Sequence, residues 1–276
     1  MSGVVLVTGA STGIGEALAR RLAATGVGVL AGVRREEDAR RLEADPSGLV
    51  EAVHLDVTSA ADVAGLAERV GNRPLRGVVN NAGMAVLGPV ELLVLEDWRR
   101  VLDVNLLGAV AVTHALLPAL LRSRGRVVNI SSIAGRVAAP LFGPYAASKF
   151  AVEAFTDVLR RELLGTGVHV VAVQPGVIAT PIWDKGRAEA DEILERADVA
   201  QLRRYGDLMR AARALAAHGK RRGSSPDAVA AIVVRALTAR RPRTRYLVGL
   251  DARVEARLVG LVPDRAVDAV LRRMAG

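Results

Sequence analysis

A chain of 276 residues, 51% of them hydrophobic, can bury a sizeable core and fits one large domain better than two small ones. It has no cysteine, which excludes disulfides, thiolate nucleophiles and Cys-ligated zinc or iron–sulfur centres. The net charge of +9 comes from arginines scattered among alanine-rich stretches, and aromatics are only 3%, so a solvated basic surface is expected rather than a nucleic-acid partner.

Met1-Ser2-Gly3 runs directly into an apolar strand without a signal-peptide pattern, and no apolar run has the length of a membrane span. A cytoplasmic location without a transmembrane segment is therefore expected. The strand Val4–Val7 leads through Thr8-Gly9-Ala10-Ser11-Thr12-Gly13-Ile14-Gly15 into an amphipathic helix over 14–24. Such a turn suits a dinucleotide, because glycines admit a pyrophosphate close to the backbone and the helix N-terminus supplies N–H groups and partial positive charge. An ordinary glycine-rich turn is the plainer reading.

The second strand, 27–33, ends at Val33, where NAD enzymes carry a carboxylate for the adenosine ribose. Arg34 and Arg35 follow instead; guanidinium groups suit a 2′-phosphate, so NADP(H) is expected over NAD(H). Capping the surface of the next helix is the alternative for both. Strand 50–55, helix 62–70 and strand 77–80 continue the alternation, followed by a long helix over 97–121. Asn105 sits in that helix among Val104, Leu106 and Leu107, where a polar side chain needs a hydrogen-bonding reason.

Strand Arg126–Ile130 ends in Ser131 and Ser132, and strand carboxyl ends form the ligand crevice of an open α/β sheet. Either hydroxyl can bond a substrate oxygen. The helix over 145–164 opens with Tyr145-Ala146-Ala147-Ser148-Lys149, whose spacing places phenol and ammonium on one face, a turn apart. Moving a tyrosine from ~10 to about 7 needs roughly 4 kcal/mol of preferential phenolate stabilisation, which Lys149 and a positively charged nicotinamide are expected to supply. A snorkelling lysine is the alternative.

Strand 168–173 precedes Pro175-Gly176-Val177. Six such strands, with continuous apolar runs such as Val4-Val5-Leu6-Val7, predict a Rossmann-like, doubly wound parallel α/β sheet. The polar stretch 184–222 reads as a helical insertion over the ligand edge; its Ile193, Leu194, Leu202, Leu208 and Met209 line an apolar pocket or form helix core. Ser225-Pro226-Asp227 opens a helix, 246–248 is a last strand, and an amphipathic tail over 251–274 breaks at Pro263. In that tail Val254, Leu258, Leu261 and Val270 lie against Arg253, Arg257 and Arg272, which suits packing over the lid or a second subunit, or contact with a membrane surface. Trp98 is a single aromatic, and Trp183 suits either substrate contact or packing. His54, His114, His169 and His218 lack metal-ligand spacing, so no metal is expected. With no repeat or linker, one domain over 1–276 is expected: a core at 1–180, a lid at 181–224, and last strand and C-terminal helices at 225–276.

The three-residue gap between Gly9 and Gly13 differs from G-x-G-x-x-G, and T-G-x-x-x-G-I-G resembles the fingerprint of the short-chain dehydrogenase/reductase family. Leu55-Asp56-Val57, Asn80-Asn81-Ala82-Gly83, Tyr145-x-x-x-Lys149 and Pro175-Gly176-Val177 fall in that family's order, and 238–246, Gly249-Leu250-Asp251-Ala252 and 263–268 resemble its retinol dehydrogenase/17β-hydroxysteroid dehydrogenase-like branch. The resemblance implies a cofactor site of Thr8, Gly9, Ser11, Thr12, Gly13, Ile14 and Gly15, with Arg34 and Arg35 at the ribose and Asp56 and Val57 at the adenine. Asn81, Ala82 and Gly83 would brace the channel, and Pro175, Gly176, Val177 and Thr180 would hold the nicotinamide carboxamide beside Tyr145 and Lys149. The catalytic set it implies is Asn105, Ser132, Tyr145 and Lys149, the family's serine-to-tyrosine spacing selecting Ser132 over Ser131 and Asn105 anchoring a water near the lysine. An NAD(P)(H)-dependent oxidoreductase interconverting an alcohol and a carbonyl is expected, acting on a bulky apolar substrate and assembled as a homo-oligomer through its two long helices. A reductase of small ketones and a catalytically silent NADP(H)-binding regulator are the alternatives; the second would lose Tyr145 or Lys149, and both remain.

Overall fold

The structure, a computed structural model, describes residues 3–182, 190–193, 195–259, 261–263 and 265–269. Its β-branched runs form β1 (Val4–Val7), β2 (Gly28–Val33), β3 (Val50–His54), β4 (Leu75–Asn80), β5 (Arg126–Ile130), β6 (His169–Pro175) and β7 (Arg245–Val248). These make one sheet in the order β3-β2-β1-β4-β5-β6-β7, parallel throughout. The winding reverses between β1 and β4, and a crevice opens at the carboxyl ends of strands at such a reversal.

The helices are α1 (Gly13–Ala24), α2 (Glu36–Glu43), α3 (Ala60–Ala64), α4 (Leu66–Val70), α5 (Leu95–Leu102), α6 (Gly108–Ser123), α7 (Gly143–Glu162), α8 (Val199–Arg222), α9 (Pro226–Thr238) and α10 (Leu250–Leu258). Alternation along β1 sends Val5 and Val7 into one core with Leu18 and Leu22 of α1 and Val229 and Val233 of α9. Val4 and Leu6 face the other core, with Leu116 and Leu120 of α6 and Leu159 and Leu163 of α7. Burying a leucine of this kind contributes roughly 1.5–3 kcal/mol, so both helical layers are driven onto the sheet by apolar area.

A buried polar chain then fixes how the long helices sit. Asn80 of β4 donates to Thr113 Oγ1 of α6 at 2.9 Å and to Asn129 Oδ1 of β5 at 2.8 Å, and Asn129 donates to Thr156 Oγ1 of α7 at 2.8 Å. All four residues are buried, where a hydrogen bond lost leaves its partner unsatisfied at a cost of about 1–3 kcal/mol.

Three elements depart from the sequence expectations. The helix expected over 62–70 is two, broken at Gly65, with Ser59 Oγ accepting from Asp62 N to cap the first. The long helix starts at Leu95 and is interrupted by a π-turn at Asp103–Leu107. Helix α2, expected after Arg35 only as an unbounded next helix, has an almost wholly charged sequence and buries only Leu42. The expectation that no apolar run has spanning length meets one stretch, Leu95–Ser123, that is long and apolar enough to cross a membrane by length and composition. One face of it packs as a core helix, with Val112, Leu116 and Leu120 fully buried and Thr113 bonded to β4, while Leu107 and Leu121 are exposed.

The stretch over 184–222 divides. Met209 of α8 packs with Leu141 and Ala190, flanked by Leu208 and Tyr205, while Ile193 joins Val86, Leu93, Val101 and Trp98. These side chains form helix core, whereas Leu202 is exposed and Leu194 and Trp183 lie outside the described residues. In the tail, Val254, Leu258 and Leu261 are exposed rather than packed over the lid; Val270 and Arg272 lie outside the described residues.

Candidate active site

The turn after β1 is held by contacts that only small side chains permit. Gly9 and Gly13 have φ of 63° and 59°, in the region that favours glycine. A Cβ on Gly15 would stand 2.3 Å from Gly9 O and 2.6 Å from Asn81 Nδ2, so α1 begins with its backbone pressed into the turn. Asn81 donates to Thr8 O at 2.9 Å and Gly9 O at 3.0 Å, while Thr8 Oγ1 accepts from the amides of Asn81 and Ala82 at 3.0 and 2.9 Å. The loops after β1 and β4 are thus locked together at the reversal point.

A cavity of about 340 Å³ runs from this turn along the carboxyl ends of the strands, a volume in the range of ligand clefts. Of the expected cofactor residues it is lined by Gly9, Ser11, Thr12, Gly13, Ile14, Arg34, Asp56, Val57, Asn81, Ala82, Gly83, Pro175, Gly176 and Thr180, with Ser131, Ser132, Tyr145 and Lys149 in the same cavity. Thr8 and Gly15 are buried behind the wall, and Val177, exposed, does not line the cavity. Arg35 is not brought in: it precedes α2 and pairs with Glu37 at 3.3 Å, pointing along the helix it opens. Arg34 lines the cavity, exposed, with Nη1 3.9 Å from Asp56 Oδ2. Asp56 lies below the usual carboxylate range chiefly because the Thr58 amide donates to it.

Sequence reasoning missed Arg41 of α2. It donates to Ser11 O at 2.5 Å, and pairs with Glu16 at 2.5 Å and Asp38 at 2.9 Å, so it fastens the glycine turn from outside. The Asp38 bond is the largest cause holding its guanidinium above its usual pKa. Within a charged run whose helix had no expected bounds, nothing distinguished it.

At the other end of the cavity α7 presents Tyr145 and Lys149, 6% and 5% exposed. Lys149 Nζ donates to Ile130 O at 2.9 Å and lies 5.6 Å from the centre of the Tyr145 ring. Burial pulls the ammonium down to about 8, partly opposed by the Glu153 carboxylate one turn on. Within the protein's own surroundings burial pushes the Tyr145 phenol up from its usual value, and its hydrogen bond with Ser132 opposes this only in part, so the acidic phenol expected from the sequence would need the positive charge of the nicotinamide. Desolvation of a phenolate outweighs the neighbouring hydroxyl here. Ser132 Oγ also accepts from Ala134 N at 3.1 Å, whereas Ser131 Oγ is buried with no hydrogen-bond partner among the described residues.

Asn105 does not line the cavity. From the π-turn its Oδ1 accepts from Met84 N at 2.8 Å and its Nδ2 donates to Met84 O at 2.9 Å and Ser148 Oγ at 2.9 Å. It ties the chain beyond Gly83 to the helix that carries Tyr145. Ser148 in turn donates to Tyr145 O at 2.7 Å.

A parallel sheet with a glycine turn at its reversal point, continuous with a buried Ser–Tyr–Lys group, defines a nucleotide-dependent oxidoreductase. Residues 3–191 match the short chain dehydrogenase family, and the chain belongs to that family. It is 41% identical over 277 residues to human retinol dehydrogenase 16, covering 97% of this chain and 87% of that one, which places it in the retinol dehydrogenase-like branch. Among solved structures it is similar to a short chain dehydrogenase/reductase from Burkholderia phymatum in complex with NAD, at TM-score 0.78 and 27% identity over 93% of this chain and 92% of that one. A short chain dehydrogenase from Burkholderia cenocepacia in complex with NADP gives TM-score 0.76 and 26% identity over 98% and 97% of the two chains. The protein is an oxidoreductase that acts on CH–OH groups and their carbonyl counterparts with a nicotinamide cofactor. The residues present fit that cofactor: the cradle at Gly9, Gly13 and Gly15 would be filled by any Cβ, and the cavity runs unbroken from it to Tyr145.

Proposed function

We propose that this enzyme interconverts a bulky apolar alcohol and its carbonyl compound, using NADP(H) in preference to NAD(H), with Ser132, Tyr145 and Lys149 as catalytic residues and Asn105 positioning them. The observation that carries the assignment is the Tyr145 phenol, bonded to Ser132 with Lys149 on the same helix face at the end of the cavity that begins at the glycine turn.

Bound in this cavity, the cofactor supplies the hydride. Gly9, Ser11, Thr12, Gly13 and Ile14 would hold its phosphates, Asp56 and Val57 its adenine side, and Gly176 and Thr180 its nicotinamide side. Ser132 and Tyr145 then bind the substrate oxygen and orient the carbonyl. Tyr145 gives its proton to that oxygen as negative charge develops there, and takes one back in the opposite direction. Lys149, still an ammonium at neutral pH with its pKa about 8, stabilises the phenolate left behind. Tyr145→Phe should lower turnover by about 10²–10⁴-fold while leaving cofactor affinity within about threefold. Turnover comparable to the unaltered enzyme would end the assignment.

Four observations support the finer readings. β2 ends at Val33 without a carboxylate and Arg34 lines the cavity, which favours a 2′-phosphate. Arg34→Ala should raise the Michaelis constant for NADP(H) several-fold more than that for NAD(H); equal effects reject the preference. Met84, Ala85 and Ile182 add apolar lining to the cavity that also holds Tyr145, and one relative is named for retinol, a long apolar alcohol. A panel of retinoids, steroids and small ring ketones followed at 340 nm with each cofactor tests this, and a preference for the small ketones rejects it. Exposed Leu107 and Leu121 near and on α6, and Phe150, Val158 and Leu164 on and beyond α7, support a homo-oligomer packed through these helices. Helix α8 serves in this reading as a substrate lid, held where Tyr205 donates to Glu91 Oε2 at 2.8 Å.

A further inference from the structure

The loop after β6 follows the cavity wall through Gly176, Ile178 and Thr180. Its backbone groups are taken up one by one from the C-terminal part of the chain. Gly176 N donates to Val248 O at 2.9 Å, Ala179 N to Ser224 O at 3.1 Å, and Ser224 N to Val177 O at 3.0 Å. The amide of Val177 is different: it donates to a side chain, Oδ2 of Asp251, at 2.7 Å.

Asp251 is the second residue of α10, and a carboxylate in a first helical turn faces unpaired N–H groups and the positive end of the helix dipole, so its charge is accommodated there. The space around it is cut to fit. A Cβ on Gly176 would stand 2.1 Å from Oδ2, and one on Gly249 would stand 2.2 Å from Oδ1. Gly249 adopts φ 105°, a conformation other residues rarely take, and this turns β7 directly into α10 with the carboxylate aimed at the loop. Two glycines from separate parts of the chain thus leave room for one planar acceptor at one height.

We infer that Asp251 is a positioning residue for hydride transfer: its carboxylate fixes the Val177 amide and, through it, the surface that residues 175–180 present to the nicotinamide. This rests on the reading that this loop receives the nicotinamide end of the cofactor. An acceptor wedged in a slot this narrow holds its donor's orientation closely, which suits a wall against which a ring must lie at one angle. The aspartate acts through the loop and touches neither ring nor substrate.

The fluorescence of NADPH tests this without knowledge of the substrate, because emission reports the surroundings of the nicotinamide whereas affinity comes largely from the rest of the molecule. Asp251→Asn keeps an acceptor of the same shape, Asp251→Ala removes it, and Asp251→Glu keeps the charge but pushes it beyond the slot. On titration with NADPH, the unaltered enzyme should show enhanced, blue-shifted emission, and Asp251→Asn should retain it. Asp251→Ala and Asp251→Glu should lose most of the enhancement at saturation while the dissociation constant stays within about threefold. Emission in those two variants equal to that of the unaltered enzyme overturns the inference, as does its loss in Asp251→Asn. Should Asp251→Ala not fold, the contrast between Asn and Glu carries the same decision. An unaltered enzyme that binds NADPH with no change in emission overturns instead the reading of the loop as the nicotinamide site, which separates the two failures.

Discussion

Lys149 is a charged side chain kept almost wholly out of water, and the depression of its pKa from 10.5 to about 8 measures what that costs the fold. The penalty on the charged form is of order 3 kcal/mol below pH 8. Because the unfolded chain holds the proton until about 10.5, the penalty shrinks as pH rises from 8 to 10.5 and vanishes above it. Lys149→Met should therefore be inactive yet melt higher than the unaltered enzyme at pH 7, with the gap narrowing towards pH 10 in thermal scans; a constant gap would contradict this. Glu153 supports the ammonium from one turn away, itself held by Arg245 at 2.9 Å. In Glu153→Gln the Lys149 ammonium should be lost at lower pH, moving the alkaline fall of reductive turnover downward, and an unmoved limb would count against it. Tyr145 and Lys149 were legible because a spacing of four residues needs only helical geometry. Arg35 lies off the cavity and Arg41 was missed for one reason: an arginine's destination depends on which carboxylates the fold brings near it, Glu37 for one and Glu16 and Asp38 for the other.

At the level of elements, what could be read was what apolar patterning dictates. The strands at Val4–Val7 and Arg126–Ile130 are where continuous β-branched runs put them, since burial on both faces leaves no other use for such runs. Helix α2, in its bounds, and the π-turn were not legible. The first is specified by ion pairs on a charged surface, and the second by an Asn105 whose partners, Met84 and Ser148, are 21 and 43 residues away. A π-turn widens the helix at a single point, and here it lets the asparagine amide reach both the amide and carbonyl of Met84. Asn105→Ala should destabilise the protein by about 1–3 kcal/mol through the Met84 groups it strands, and should lower turnover more than cofactor affinity. Equal stability in denaturant titrations would mean the bracket is not closed in solution. Gly15→Ala tests the other end of the cavity. Its methyl meets Gly9 O, so NADPH affinity should drop at least tenfold.

For the whole molecule, the two faces of the sheet are used differently. One is closed by α1 and α9, whose apolar residues interlock, whereas α6 and α7 on the other are pinned from beneath by Asn80 and Asn129 and keep apolar side chains on their outer surface. If the proposed homo-oligomer packs through this surface, Val158→Arg, placed on it at 51% exposure, should sediment as single protomers. A sedimentation coefficient equal to that of the unaltered protein would reject an assembly packed through these helices. The clasp that joins Thr8 to Asn81 and Ala82 has its own bearing on how the enzyme starts work. Both jaws of the crevice are tied by the chain's own hydrogen bonds and need no nucleotide contact to hold them together, so little chain entropy is left to be surrendered on docking. Stopped-flow mixing should then give a single phase whose rate climbs linearly with nucleotide concentration, with no plateau betraying a slow rearrangement of those jaws.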